Sequence, residues 1–211
     1  MNFFGHALAA SWRGRGPGFA LGAMLPDFAT MLGMRLVGAD DPDTADGVAH
    51  HHATDRVFHG LAPFARAVVE IADDLMARGV ARGPARGAAH VGFELCLDGA
   101  LLGEAGGAEA YLAALVVDPA VDGGLAWSQP DGAGRWSAMR ARLAAHGLPV
   151  EYAEPERVAE RVERVLARRP LLALDAAGAA LVRRAMPSVA ERVAAAAPAV
   201  LVGLRDGLDR P

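Results

Sequence analysis

The chain has 211 residues, a size that fits one domain. Apolar residues make up 53% of it, enough for a sizeable core, while a net charge of −4 and a pI near 6.0 give no general attraction to nucleic acid or to an anionic membrane surface. All 21 basic residues are arginine; the one cysteine, Cys96, excludes a disulfide within the chain and fits a reducing cytosol.

Residues 2–12 read as a short helix with His6 among Phe3, Phe4, Leu8 and Ala10. The start lacks the basic segment of a secretory signal, and no stretch reaches the roughly 18–20 apolar residues of a membrane span, so a cytoplasmic protein without a span is expected. Residues 13–18 are a Gly/Pro turn. Residues 19–34 are nearly all apolar around one charge, Asp27, which directly follows Pro26. A carboxylate there is costly unless paired or metal-bound; its other role is to cap the following turn. Residues 38–46 form an acidic loop whose spacing is not that of an EF-hand.

A histidine-rich helix follows, running to about Gly60. Four of the seven histidines, His50, His51, His52 and His59, fall within residues 47–59, and no proline interrupts them. Residues four apart stand above one another on a helix, so His51, Asp55 and His59 form one polar ladder with His52 beside it. His50 points about 100° away from His51 and is a bystander. His59, next to Gly60, is also placed to serve as a favourable charge at a helix C-terminus. Residues 62–78 continue as an amphipathic helix carrying Phe64, Val68, Ile71 and Leu75.

Residues 85–102 repeat the ladder with His90, Glu94 and Asp98 on an otherwise apolar helix; that stripe faces either solvent or a buried polar site. Residues 118–134 are rich in Gly and Pro and read as an irregular loop. Helices are expected again over 134–146, which ends at His146, and from Pro155 to Arg168. Two more are expected over 171–185 and 187–208, the last kinked at Pro198. No strand pattern of useful length occurs. The fold class expected is all-α, a single bundle-like domain over 1–211.

His6, Asp27, His51, Asp55, Glu94 and Asp98 are the candidate metal ligands, with His52, His59 and His90 as secondary candidates. Asp27, Asp55 and Glu94 are the candidate catalytic groups. Mixed imidazole and carboxylate ligands suit Mn, Fe or Zn better than Mg. Such a site can acidify water and neutralise phosphate oxygens, so the reaction class expected is metal-assisted hydrolysis of a phosphodiester. There is no Gly-x-Ser-x-Gly elbow, no P-loop and no dinucleotide fingerprint.

These segments resemble the acyl carrier protein phosphodiesterases, or holo-ACP hydrolases, of the HD-like metal hydrolases. The start Met1-Asn2-Phe3-Phe4-Gly5-His6 is similar to that family's Met-Asn-aromatic-x-x-His. Gly22-Ala23-Met24-Leu25-Pro26-Asp27-Phe28 resembles its Gly-Asn-Leu-Leu-x-Asp-Phe segment, and His51-His52-Ala53-Thr54-Asp55 stands where it has His-Arg-x-Ile-Asp. Glu94-Leu95-Cys96-Leu97-Asp98 is similar to its Asp-x-x-x-Asp helix, and Arg168-Arg169-Pro170 to its late Ser-Arg-Arg-Pro. The resemblance implies an HD-like helical fold, a divalent metal, usually manganese, and release of 4′-phosphopantetheine from holo acyl carrier protein. Carried over by position, His6, Asp27, His51, Asp55, Glu94 and Asp98 are the implied site. An acidic carrier protein would meet a basic rim, to which Arg13, Arg15, Arg56, Arg168 and Arg169 are the possible contributors.

The chain departs from that pattern at His52 for the family's Arg, at Phe58-His59 for its Thr-Asp, and at Gly99 for a His; His90 has no counterpart. Gly22-Ala23-Met24-Leu25-Pro26-Asp27, the adjacent histidines and His90-x-x-x-Glu94 are also similar to pieces of bacterial zinc-dependent phospholipase C proteins, which implies zinc and a phospholipase C-like hydrolase as the alternative. A non-catalytic helical protein that keeps the cavity and binds metal or ligand is the alternative to an enzyme.

Overall fold

The computed structural model describes residues 1–210, and among them helices dominate, as the apolar periodicity requires. The all-α expectation holds apart from one small ribbon. Contacts gather into two units, each assembled from two separated stretches: Met1–Arg56 with Leu101–Pro149, and Val57–Ala100 with Val150–Pro211.

The first unit contains α1 (Phe3–Ser11), α2 (Pro17–Met31), most of α3 (Pro42–Gly60), α6 (Gly107–Leu115), α7 (Ala120–Gly123) and α8 (Gly132–His146). α1, α2 and α6 pack on one another around Phe3, Phe4, Phe28 and Tyr111, all buried, with Phe28 stacked on Trp136 of α8. Full burial of each such side chain contributes roughly 1.5–3 kcal/mol. The segment expected to be an irregular loop, 118–134, carries α7 and the strand β2 (Leu125–Trp127). β2 pairs antiparallel with β1 (Leu36–Ala39), Leu36 opposite Trp127 and Ala39 opposite Leu125. The buried Arg140 guanidinium closes this corner by donating to Asp122 and to the carbonyls of Leu115 and Val117.

Two departures from expectation shape the site. α2 runs straight through Pro26, so Asp27 lies inside the helix and caps nothing. The acidic stretch is put to structural use: the Asp41 carboxylate accepts hydrogen bonds from the Thr44 N–H and hydroxyl at the start of α3, while Arg15 pairs with Asp43 and Asp46.

α2 and α3 meet backbone to backbone. A Cβ at Gly22 would stand 2.1 Å from the Thr44 carbonyl oxygen, and one at Gly47 would stand 2.1 Å from that of Phe19. Only glycine allows this approach at both positions.

The second unit contains the last turn of α3, α4 (Ala62–Ala77), nearly all of α5 (Arg82–Leu101), a 3₁₀ turn (Val150–Ala153), α9 (Pro155–Leu166) and α10 (Ala176–Leu208). α10 packs against α4 and α9 through Val182, Met186, Val189, Val193 and Leu204. It is one helix of 33 residues, capped by Asp175, where two helices were expected. Pro187 and Pro198 are both exposed, and the carbonyls they leave without an intrahelical donor belong to the exposed Arg183 and Ala194. By length and composition α10 is apolar enough to cross a membrane, which the shorter tract read from sequence was not. Gly99, where the resembling family has His, is required by packing: a Cβ there would lie 2.1 Å from the Tyr152 carbonyl oxygen.

Candidate metal centre

The Gly22–Gly47 crossing sets the geometry of the first unit's polar cluster. His51 follows Gly47 by one turn of α3, and the crossing lowers its ring onto α2, where Nδ1 meets the Ala23 carbonyl at 2.8 Å. A carbonyl only accepts, so Nδ1 carries the proton and Nε2 keeps its lone pair. Burial, and then the neighbouring His6, push the His51 pKa down from 6.5 to about 3. The ring is therefore neutral at pH 7, as a metal ligand must be.

α1 delivers His6, fully buried, with its ring stacked on His51 at a centroid distance of 3.9 Å. His6 Nε2 lies 3.1 Å from the Met1 carbonyl, 3.2 Å from Asp55 Oδ1 and 3.9 Å from Asp27 Oδ2. Asp55 joins from the turn of α3 after His51, its Oδ2 3.5 Å from His51 Nε2. Donor atoms of His6, Asp27 and His51 all lie within 4.8 Å of one another, and Asp55 reaches both rings. Burial would raise the Asp55 carboxyl, but the hydrogen bond with His6 and the charge of the Met1 ammonium, 2.9 Å away, hold it below the ordinary carboxylate range.

His6, Asp27, His51 and Asp55 are thus brought together from three helices. His59, His90 and Glu94 form a second group in the other unit, again with donor atoms within 4.8 Å of one another. Asp98 is fully buried on α5 and belongs to neither group. His52 is exposed, edge-on to the His51 ring, and also belongs to neither. His50, expected to be a bystander, points to Thr54 and packs on Phe19; burial and then Arg13 push its pKa down to about 4. Cys96 is buried beside Met186, and burial raises its thiol to about 12, so it is inert.

Sequence reasoning missed the Met1 ammonium and the Ala23 carbonyl, both backbone groups without a side-chain signature. It also passed over Gly22 and Gly47, although a glycine inside each of two helices is a readable sign of close approach.

The donor set fits a divalent transition ion. Two imidazoles and two carboxyl groups match the preferences of Zn, Mn or Fe. Ligand atoms around a tetrahedral ion with bonds of about 2.0–2.1 Å sit about 3.3 Å apart. Asp55 Oδ1 stands 3.2 Å from His6 and Oδ2 3.5 Å from His51, so each carboxylate oxygen has that spacing from one ring. Comparison with family models, curated proteins and solved structures returned no match to this chain.

Proposed function

We propose that the chain is a metal-dependent phosphodiester hydrolase acting at the His6–Asp27–His51–Asp55 cluster. The observation that carries this reading is the convergence of two imidazoles and two carboxyl groups from three helices on one set of contacts under 4 Å. A divalent ion held there would supply Lewis-acid chemistry, neutralising charge on a phosphate and acidifying water.

The protein's own share is positioning. The Ala23 carbonyl fixes the His51 tautomer, so its Nε2 needs no rearrangement to bind. Asp55 holds its charge between the two rings, about a third exposed, so the cluster is open to solvent on that side. His6 Nε2 donates to the Met1 carbonyl and lies against Asp55; to hold an ion through Nε2 the neutral ring would carry its proton at Nδ1 instead.

The substrate we propose is holo acyl carrier protein, with release of 4′-phosphopantetheine, on an HD-like fold that prefers manganese. The support for it is the resemblance of the segments around His6, Asp27, His51 and Asp55, which supply all four cluster residues in the family's order. Of the arginines that would face an acidic partner, Arg13 and Arg56 are exposed, whereas Arg15 is held by Asp43 and Asp46.

The test uses untagged protein. Bound Mn, Fe or Zn together with turnover of a generic phosphodiester is expected; chelation abolishes both, and His51→Gln abolishes turnover and the ion held at this cluster. Phosphopantetheine released from holo acyl carrier protein, seen by mass, identifies the substrate. Metal without turnover would replace the enzyme by a binding protein, and neither metal nor turnover would overturn the reading.

A further inference from the structure

His59, His90 and Glu94 form a donor group apart from the four residues of that cluster. Glu94 stands one turn after His90 on α5, and His59 comes from the last turn of α3. Both rings turn Nε2 toward the same oxygen, Glu94 Oε1, at 3.4 Å from His59 and 3.2 Å from His90. These are again the separations of ligand atoms around a tetrahedral ion with bonds of about 2.0–2.2 Å.

The rings are held in place by aromatic packing. They stack at 5.3 Å with planes 13° apart, and Phe64 stands edge-on to both at 5.4 Å. Phe58 and Phe93, both fully buried, back Phe64 in turn. Burial alone would raise the Glu94 carboxyl, but its hydrogen bonds with His59 and His90 hold it well below the ordinary range.

The side chains of His59 and His90 are 39% and 43% exposed, and that of Glu94 18%. The group therefore presents three fixed donors on an open side, leaving a further coordination position to solvent. A set of two imidazoles and one carboxylate selects zinc-class ions; Ca²⁺ and Mg²⁺ prefer all-oxygen shells.

We propose that His59, His90 and Glu94 form a second, solvent-accessible site for a divalent transition-metal ion of the Zn²⁺ class, built from residues that the hydrolytic cluster does not use. It stands whether or not the cluster around His51 binds metal.

The test is a Co²⁺ titration of the full, untagged chain after chelator treatment, followed by Zn²⁺ competition. Co²⁺ reports coordination by its visible absorption, so no activity is needed. The His59→Gln/His90→Gln double variant should lose one equivalent of bound ion, and Glu94→Gln should weaken that equivalent by more than about tenfold. His51→Gln should leave that equivalent intact, so failure of the hydrolytic reading and failure of this one give different results. The two histidines are exposed enough for the double variant to fold, which circular dichroism checks. In the His51→Gln chain, Zn²⁺ should shift the imidazole NMR signals of His59 and His90 at one equivalent. Unchanged stoichiometry and affinity in the folded double variant, or imidazole signals that ignore Zn²⁺, would overturn the proposal.

Discussion

Asp55 is the residue on which the first cluster turns. Its two oxygens serve different rings, and one of them also receives the Met1 ammonium. The substitution Asp55→Asn keeps the volume and removes the charge. It leaves a buried imidazole and an ammonium facing a neutral amide. Removing one partner from a fully buried ion pair costs about 3–5 kcal/mol, but Asp55 is 30% exposed and water screens the loss. A destabilisation of about 1–2 kcal/mol is therefore expected in urea denaturation, together with loss of metal at this cluster. A variant as stable as the parent would mean that the contacts of Asp55 with His6 and Met1 contribute nothing net.

Helix crossing, more than helix identity, decides where the ligands land. The crossing of α2 and α3 depends on Gly47, whose Cβ would meet the Phe19 carbonyl oxygen at 2.1 Å and the Ala23 nitrogen at 2.9 Å. Both obstacles are backbone, which cannot rotate aside, so Gly47→Ala must push the helices apart. A loss of about 3 kcal/mol is expected, and the His51 Nδ1 bond to Ala23 should break with it. The control is Gly134→Ala in α8, where nothing lies within 4 Å; it should be neutral or stabilise by about 0.4–1 kcal/mol. Calorimetry on the pair checks both signs. The same helices show what was legible in the chain. The pairs His51/Asp55 and His90/Glu94 were readable because a four-residue spacing on a helix is a local property. The meeting of His59 with His90 was not, because it depends on how separate helices pack. Pro26 left a cap at Asp27 open beside a paired or metal-bound role, and Pro187 suggested a break that α10 does not have. The β1–β2 ribbon was invisible because each strand is too short to show alternation, and its pairing joins segments far apart in the chain.

At the scale of the whole chain, the donor groups make folding sensitive to acid earlier than carboxylates alone would. Each unit is assembled from two stretches of sequence, so neither can be excised as one continuous piece, and stability is to be measured on the intact protein. His50 and His51 ordinarily titrate at 6.5, but in the folded chain burial lowers them to about 4 and about 3. Above about pH 7 both rings are neutral folded and unfolded, and they impose no pH dependence. Below 6.5 the unfolded chain takes up protons that the folded chain refuses, so the unfolded state is favoured progressively as pH falls toward 3. The carboxyls of Glu94 and Asp55, held below their ordinary values of 4.5 and 3.8, add their loss in the same direction once the pH falls below those values. The denaturation midpoint should therefore be level from about pH 7 until the buried Cys96 thiol lowers it above about 9, and on the acid side begin to fall near 6.5, well before any carboxylate is protonated. His51→Gln removes one of the two early protons and should shallow the slope between pH 6.5 and about 4.5, leaving the steeper acid limb in place. A midpoint that stays level until about pH 4.5 in the parent chain would show the imidazoles to be accessible to protons in the folded state, and with that the dry, neutral His51 on which the hydrolytic site depends would be lost.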